Sequence, residues 1–235
     1  MMLVYPEIQQ EFEFSNSHVN SLVIENRGLF LRFMEDIQAQ INGFDGKAVL
    51  SEKFVPISIA KRLELIYDFI GLEINRKALL NRAVAVIEKT ALDEEHYLVV
   101  QELLSQIQSF IKECSFNLQC NITADKLSIN SMLKAAGVAF ADDYGSVKGY
   151  AEKLIDYMET VRELECDKLF VTVNMRSFFD DETVESLCET VMKHELKLLM
   201  VENKEYDMMR CEHRVIVDSD LCEIIKPIDN LIGFQ

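Results

Sequence analysis

Residues 168–189 place polar side chains directly after an apolar strand, in a pattern typical of nucleotide-binding α/β proteins. The β-branched run Leu169–Val173 predicts a buried strand, Asn174 ends it, and the acids of residues 180–182 open an amphipathic helix. Nucleotide-binding α/β proteins bind phosphates at the carboxyl ends of such strands and place a catalytic carboxylate there. Nucleotide hydrolysis is therefore the first chemistry that this spacing suggests.

The residues that hydrolysis requires are missing from the sequence. Asn174, and not an acid, ends the strand, and no GxxxxGK[ST] loop is present. Gly43 and Gly46 are spaced too closely for such a loop, and no Ser or Thr follows Lys47, so a surface turn is expected there. No GxSxG or HExxH motif occurs, and the six cysteines form no CxxC pair. A degenerate NTPase that still binds nucleotide stays open as an alternative.

The acids after the predicted strand have a simpler structural explanation. Asp180, Asp181 and Glu182 precede a helix, where negative charge interacts favourably with the helix dipole, and Asp181 is a candidate cap. We therefore assign them no catalytic role.

Helical and strand patterns divide the chain into three parts. The first contains strands at 21–26 and 29–33, joined by an Asn-Arg-Gly hairpin turn, although a helix beginning at Phe33 is an alternative. It also contains an extended segment over 47–54, which Pro56 ends. The middle part predicts helices over 59–72, 76–92, 94–115 and 123–137, the last capped by Thr123 or Ser128 and ended by Gly137. The last part predicts helices over 146–164 and 181–195, and strands over 168–174, 196–203 and 213–220.

Strands separated by single amphipathic helices favour a parallel sheet with crossover connections. The sequence therefore predicts an α/β fold in which both termini build one head (residues 1–58 and 140–235) and residues 59–139 form an inserted helical leg. A single α+β domain without a separate arm is the alternative.

The charge of the chain is strongly acidic but unevenly distributed. The net charge is −16, which by itself argues against binding of nucleic acid. Residues 47–89, however, carry eight Lys/Arg against five Asp/Glu, whereas residues 142–235 carry 11 against 22. Neither a signal peptide nor an apolar run long enough for a membrane span is recognisable, so we expect a cytoplasmic protein with no membrane partner.

Five segments, taken in order along nearly the whole chain, resemble a known family. They are 21–37 (SLVIENRGLFLRFMEDI), 65–79 (LIYDFIGLEINRKAL), 125–140 (DKLSINSMLKAAGVAF), 168–187 (KLFVTVNMRSFFDDETVESL) and 196–206 (LKLLMVENKEY). They are similar to segments of the ring-forming, DNA-end-binding adaptation proteins of type II-A CRISPR systems, the Csn family. None is a catalytic motif, so the resemblance rests on order and spacing.

The resemblance implies both a fold and a function in antiviral defence. It implies a head resembling a P-loop ATPase that has lost its phosphate-binding residues, with an inserted α-helical leg. It further implies a homotetrameric ring, stabilised by calcium, that binds double-stranded DNA ends during spacer acquisition. Such a ring would act without catalysis of its own, together with the CRISPR integrase pair and the guide-RNA effector nuclease.

Basic residues facing the centre of such a ring would contact DNA phosphates without reading sequence. Lys53 and Lys134 fall where the family pattern also has a lysine. Charge clustering adds further DNA-binding candidates, Lys61, Arg62, Arg76 and Lys77. Only the cluster is informative, because a single lysine is usually a solvated surface charge.

The calcium site implied by the resemblance is less complete in this sequence. The family is acid-rich before the short helix, but this chain has Asn117, Asn121 and Thr123 there. Glu113, Asn121 and Asp125 are the candidate ligands, and fewer carboxylates predict weaker affinity. Asn121 or Thr123 as a mere helix cap is the alternative.

A second function from another class stays open. The acid excess of the carboxyl-terminal half also suits an adaptor that recruits proteins of the adaptation complex and binds DNA only slightly.

Overall fold

The computed structural model describes residues 1–120, 122–142, 144–145 and 147–227, with the side chains of residues 147 and 148 excepted. The chain forms two compact units, Glu73–Asp142 and the described part of Met1–Leu72 with Asp143–Gln235. The unit built from the two ends of the chain contains all the strands that the structure describes, and we call it the strand-containing unit. Its strands are β1 (Met2–Val4), β2 (Phe12–Glu13), β3 (Val19–Ile24), β4 (Val49–Glu52), β5 (Val55–Ile57), β6 (Leu63–Ile66), β7 (Leu169–Val173), β8 (Lys197–Glu202), β9 (Glu212–Val217) and β10 (Glu223–Lys226). The helices are α1 (Arg27–Ile41), α2 (Ile59–Arg62), α3 (Lys77–Ala91), α4 (Tyr97–Cys114), α5 (Ile129–Ala135), α6 (Val147–Leu164) and α7 (Asp181–Lys193). The predicted α/β class is confirmed.

A six-stranded sheet in the order β10-β9-β3-β8-β7-β6 organises the strand-containing unit. All its neighbouring pairs are parallel except β10 with β9. Every residue of β3 and β7 is buried, as expected for strands covered on both faces. Leu22 of β3 lies opposite Val201 of β8 and Val215 of β9, so β3 joins distant parts of the chain.

A second, antiparallel sheet has the order β2-β1-β4-β5 and was not predicted from the sequence. Its pairing is long-range, since Leu3 lies opposite Leu50. One hydrophobic core contains buried residues from both sheets and from α1. Within it, the rings of Tyr5 and Phe33 meet edge to face at 5.0 Å, a favourable aromatic arrangement.

The predicted hairpin with a strand over 29–33 is wrong, because α1 begins at Arg27. Asn26 is its N-cap, and its Oδ1 accepts a hydrogen bond from the Leu29 N–H at 3.0 Å. Leu29, Phe33 and Ile37 are buried at four-residue spacing. An Asn close to a Gly suits either a tight turn or a helix cap, and burial of the helical stripe decided between them.

The predicted helix over 59–72 is also wrong beyond Arg62. Residues Leu63–Ile66 form β6, which pairs in parallel with β7. The Glu64 carboxylate accepts hydrogen bonds from the Tyr157 hydroxyl at 2.6 Å and the Lys168 ammonium at 2.8 Å, which anchors this edge strand. The helical unit therefore begins at Glu73, later than the boundary expected at residue 59, and extends to Asp142 rather than residue 139.

The later elements follow the sequence patterns closely. Helices α3, α4, α6 and α7 lie within the predicted ranges to within a few residues. Ser128 caps α5 in a reciprocal arrangement with Ser131, and Gly137 follows the helix with a φ of 67°. Asp180 caps α7 through the Thr183 N–H at 2.8 Å, so the cap is one residue earlier than the candidate Asp181. None of the described helices is sufficiently long and apolar to span a membrane.

A network of buried charges surrounds the connection between β8 and β9, from the end of β8 to the first residues of β9. The Glu212 carboxylate accepts two hydrogen bonds from the Arg214 guanidinium, both at 2.7 Å. Arg176 and Arg214 each donate to the backbone carbonyl of Asp207, at 2.7 and 3.0 Å. The two guanidinium groups thereby fix the connection between β8 and β9, because each buried charge needs these partners.

Glu202 is the least well compensated member of this network. Its Oε1 accepts a hydrogen bond from the Arg176 N–H at 3.1 Å, while its buried Oε2 has no partner among the described residues. Burial raises the pKa of Glu202 from 4.5 to about 7, although the Arg176 charge opposes this shift.

We expect Glu202→Gln to stabilise the protein at pH 8 and to leave its stability at pH 4 nearly unchanged. Because the folded-state pKa lies above the unfolded value, the wild type loses stability as pH rises from about 4.5 to about 7. The amide resembles the protonated carboxyl and avoids this loss, which is about 1–3 kcal/mol in the free energy of unfolding. Urea unfolding across this pH range measures it. Exposed Glu189→Gln is the control, and an equal gain there would contradict the assignment.

Candidate nucleic-acid interface

The connection from β3 to α1 occupies the position at which a nucleotide-binding protein of this class would hold phosphates. Only Glu25 and Asn26 separate the strand from the helix. Asn26 accepts from the Leu29 N–H and donates to the carbonyl of Ser219 at 2.9 Å, so its side chain joins two loops. The connection is too short to wrap a phosphate group as the eight-residue P-loop motif does.

Asn174, which ends β7, also has a structural role. Its backbone is in the left-handed region with a φ of 54°. Its Oδ1 accepts a hydrogen bond from the Asn203 N–H at 3.0 Å, and its own N–H donates to the carbonyl of Val201 at 2.8 Å. Asn174 therefore fastens the ends of β7 and β8 to each other. The nearby carboxylate of Asp181 pairs with Arg176.

Three of the six predicted DNA-binding residues lie in the strand-containing unit. Lys53 is exposed in the turn between β4 and β5, and Lys61 is exposed on α2. Arg62 is half-buried and forms an ion pair with Glu52 at 3.0 Å. Because Glu52 immediately precedes Lys53, this ion pair brings α2 next to the turn. We call Lys53, Lys61 and Arg62 the first basic group.

The turn that carries Lys53 is strained. Lys53 and Phe54 have φ values of 50° and 64°, a conformation that is usually occupied by Asn or Gly in two-residue hairpin turns. The Phe54 side chain is 91% exposed. The turn therefore holds a lysine and an aromatic ring in solvent at a cost in backbone energy.

The other three predicted residues form the second basic group, Arg76, Lys77 and Lys134, in the helical unit. Asn130 of α5 donates to Glu88 of α3 at 2.8 Å, and Phe140 exchanges two hydrogen bonds with Asn75, at 2.8 and 3.0 Å. The chain from α5 onward therefore runs back along α3 towards the amino-terminal end of α3. This direction brings Lys134 towards the end at which Lys77 is exposed.

The candidate calcium ligands do not form a complete site in the described residues. Glu113 is exposed near the end of α4, and Asp125 is exposed in the loop before α5. Asn121 lies outside the described residues. Within the described ranges, no three His, Cys, Asp or Glu side chains are arranged to hold a metal ion. Since calcium takes six to eight oxygen ligands, Glu113 and Asp125 do not fit it by themselves.

Helix α4 exposes an unusual amount of apolar surface. Val100 is its only buried residue among those described, whereas Leu98, Val99, Leu103 and Phe110 are exposed. Phe110 is 65% exposed, and Phe116 after the helix is 87% exposed. Val99, Leu103 and Phe110 share one face at helical spacing, on which the exposed Gln106 also lies, so the helix offers an apolar stripe with one polar interruption. The exposure of this stripe was not predicted from the sequence, because helical periodicity does not show which apolar faces stay uncovered.

Comparisons with known proteins agree with the fold and identify the family. No protein with curated annotation matches the chain significantly. The crystal structure of Stu0660 of Streptococcus thermophilus has a similar fold, with a TM-score of 0.50 and 13% sequence identity over 97% of this chain and 76% of that one. The family model described as CRISPR-associated protein (Cas_Csn2) matches residues 40–221. The chain therefore belongs to the Cas_Csn2 family of CRISPR-associated proteins.

Proposed function

We propose that the chain is a non-catalytic protein that binds double-stranded DNA ends as a homotetrameric ring during CRISPR spacer acquisition. The observation that carries this proposal is the pair of basic groups on an otherwise acidic protein. Four of their six residues, Lys53, Lys61, Lys77 and Lys134, are exposed. Exposed ammonium groups bind phosphates through charge and read no sequence, so binding is sequence-independent.

The proposed absence of catalysis is supported by structural roles of the residues that follow β3 and β7 at the carboxyl ends of these strands. The side chains of Asn26 and Asn174 are hydrogen-bonded to neighbouring loops. A head descended from a P-loop ATPase would in this way keep the sheet while using its former phosphate site for structure. The family to which the chain belongs supports a role in CRISPR adaptation.

The apolar stripe of α4 supports assembly from identical subunits. The helix has 18 residues and so is about 27 Å long, enough for two copies to pack along each other. Burial of Leu103 and Phe110 would supply the favourable free energy. Residues 90–141 contain three Lys/Arg and six Asp/Glu, so close packing of these units would also bring acids together.

We include calcium in the proposal because of this excess of acidic residues, and we assign no ligands to the ion. A divalent cation lowers the repulsion between acidic surfaces and thereby favours the ring. In the cytoplasm such a ring would work with the CRISPR integrase pair and the guide-RNA effector nuclease.

The second candidate function is an adaptor that recruits proteins of the adaptation complex and binds DNA only slightly. The acid excess of residues 142–235 favours it. The two candidates differ in how strongly DNA binding depends on salt, which should be steep for the ring.

A gel-shift comparison of linear and covalently closed circular DNA of the same sequence tests the ring. We expect binding to linear DNA only, strengthened by calcium and weakened by chelator, because a closed ring must thread onto an end. Equal binding to both forms would contradict a closed ring. Binding to neither would leave the adaptor as the better proposal.

Replacing lysines in both basic groups tests the interface. We expect Lys53→Gln/Lys61→Gln and Lys77→Gln/Lys134→Gln each to weaken DNA binding and to lower the slope of log affinity against log salt by about 1 for each phosphate that the variant no longer neutralises. Fluorescence anisotropy over a salt series measures both effects. The control Lys112→Gln/Lys193→Gln removes two other exposed lysines. If it lowered the slope as much, the two groups would have no special role.

Polar substitutions on the α4 stripe test the assembly. We expect Leu103→Gln/Phe110→Gln to shift the oligomer towards smaller species in sedimentation velocity, by tenfold or more in dissociation constant, because two apolar side chains leave the interface. Leu31→Gln, at a 58% exposed apolar residue of α1, is the control. An unchanged oligomer in the double variant would rule out α4 as the interface.

A further inference from the structure

A groove lies between α6 and α7 in the strand-containing unit, and its lining includes no residue of the basic groups or of α4. Its volume is about 270 Å³, and its lining residues are Ala151, Glu152, Ile155, Asp156, Glu182, Thr183, Ser186, Leu187 and Thr190. These residues recur at three- and four-residue intervals, so each helix turns one face towards the groove.

The interior of the groove is mainly apolar. Ala151 and Ile155 on α6 and Leu187 on α7 contribute aliphatic side chains whose residues are at least nine-tenths buried. The small side chains of Thr183 and Ser186 leave the space between the helices open. An apolar side chain from outside could therefore be seated there and be shielded from water.

The rim of the groove is acidic. Glu152 and Asp156 stand on α6, and Glu182 stands at the start of α7; all three are exposed. None of the lining residues is basic. Asp156 accepts a hydrogen bond from the Tyr144 hydroxyl. Within the described part of the chain, no hydrogen bond or ion pair engages the carboxylates of Glu152 and Glu182, so both are available to a ligand.

We propose that this groove binds a basic amphipathic segment of another protein. An apolar side chain of that segment enters the space between Ile155 and Leu187, and its lysine or arginine residues lie beside Glu152 and Glu182. Charge complementarity selects such a segment, because the acidic rim repels DNA and acidic proteins.

Other occupants fit the groove less well. Its volume lies just below the 300–1,000 Å³ that is typical of sites for drug-sized ligands. A symmetric contact with a second copy would place acidic rims against each other, which is unfavourable. This inference gives the partner recruitment of the second candidate function a specific surface. It does not depend on DNA binding.

Fluorescence anisotropy with a labelled synthetic peptide tests the proposal. The probe is a helix-forming peptide of about 16 residues with leucines on one face and lysines elsewhere, and its comparison peptides replace the lysines with glutamate or the leucines with glutamine. We expect the leucine–lysine peptide to bind, and both comparison peptides to bind at least tenfold more weakly. Equal binding of the glutamine peptide would overturn the proposal, because attraction would then need no apolar contact.

Variants of the protein locate the binding. We expect Glu152→Gln/Glu182→Gln to weaken peptide binding about tenfold, and Glu94→Gln/Glu95→Gln, which removes the same charge from exposed positions elsewhere, to change it less than twofold. Equal weakening by both pairs would overturn the proposal. A changed oligomeric state of Glu152→Gln/Glu182→Gln without peptide would also overturn it, since the occupant would then be a second copy.

Filling the groove provides a test that leaves the charge unchanged. We expect Ser186→Trp to reduce peptide binding at least tenfold, and Ser109→Trp, on the exposed surface of α4, to leave it unchanged. Since the natural chain contains no tryptophan, the emission of each introduced residue also reports whether its site is covered. If Ser186→Trp bound peptide as tightly as Ser109→Trp, the groove would not be the site. DNA binding by Glu152→Gln/Glu182→Gln should stay at the wild-type level, so this proposal and the DNA-binding proposal can fail independently.

Discussion

Pairing of β3 with both β8 and β9 is the constraint on which the rest of the structure depends. The six residues of β3 are buried, and their backbone groups bond to strands that arrive almost at the end of the described chain. Since parallel neighbours cannot be joined by a tight turn, the intervening chain must leave the sheet and return. The helical unit occupies one such excursion, between the neighbouring parallel strands β6 and β7. An insertion there adds a second body without disturbing the pairing of the sheet.

Buried charged residues serve this architecture. Arg176, Glu212 and Arg214 are each at least nine-tenths buried, and their hydrogen bonds hold the β8–β9 connection in place. Removal of Arg214 would take both guanidinium hydrogen bonds from the buried Glu212 carboxylate, and breaking a buried ion pair in this way costs several kcal/mol in proteins. These charges therefore have a structural role. The surfaces that we propose for partners, which include the basic turn at Lys53 and the acidic groove between α6 and α7, consist of other residues.

Local patterns in the sequence predicted much of this fold, and long-range pairing accounts for most of what they missed. Helices α3, α4 and α6 were found because apolar spacing repeats over several turns. Strands β1, β2, β5, β6 and β10 were missed because they are short and their pairing partners are not apparent from local sequence. The Leu63–Leu169 pair is an example. Of the four DNA-binding candidates that charge clustering predicted, Lys61 and Lys77 are exposed, whereas Arg62 and Arg76 are half-buried. The burial of Glu202 and Arg214 depends on tertiary packing and leaves no local signal.

The position of β3 in the sheet also bears on how the chain folds during synthesis. Its partners, residues 199–217, are translated long after β3 itself leaves the ribosome. The helical unit is contiguous in sequence and depends on local contacts, which generally form quickly. When the helical unit has been synthesised, β3 therefore still lacks the two strands that cover its backbone edges. The apolar residues of β3 would need a chaperone most during this interval, which ends when β8 and β9 are synthesised and pair with β3.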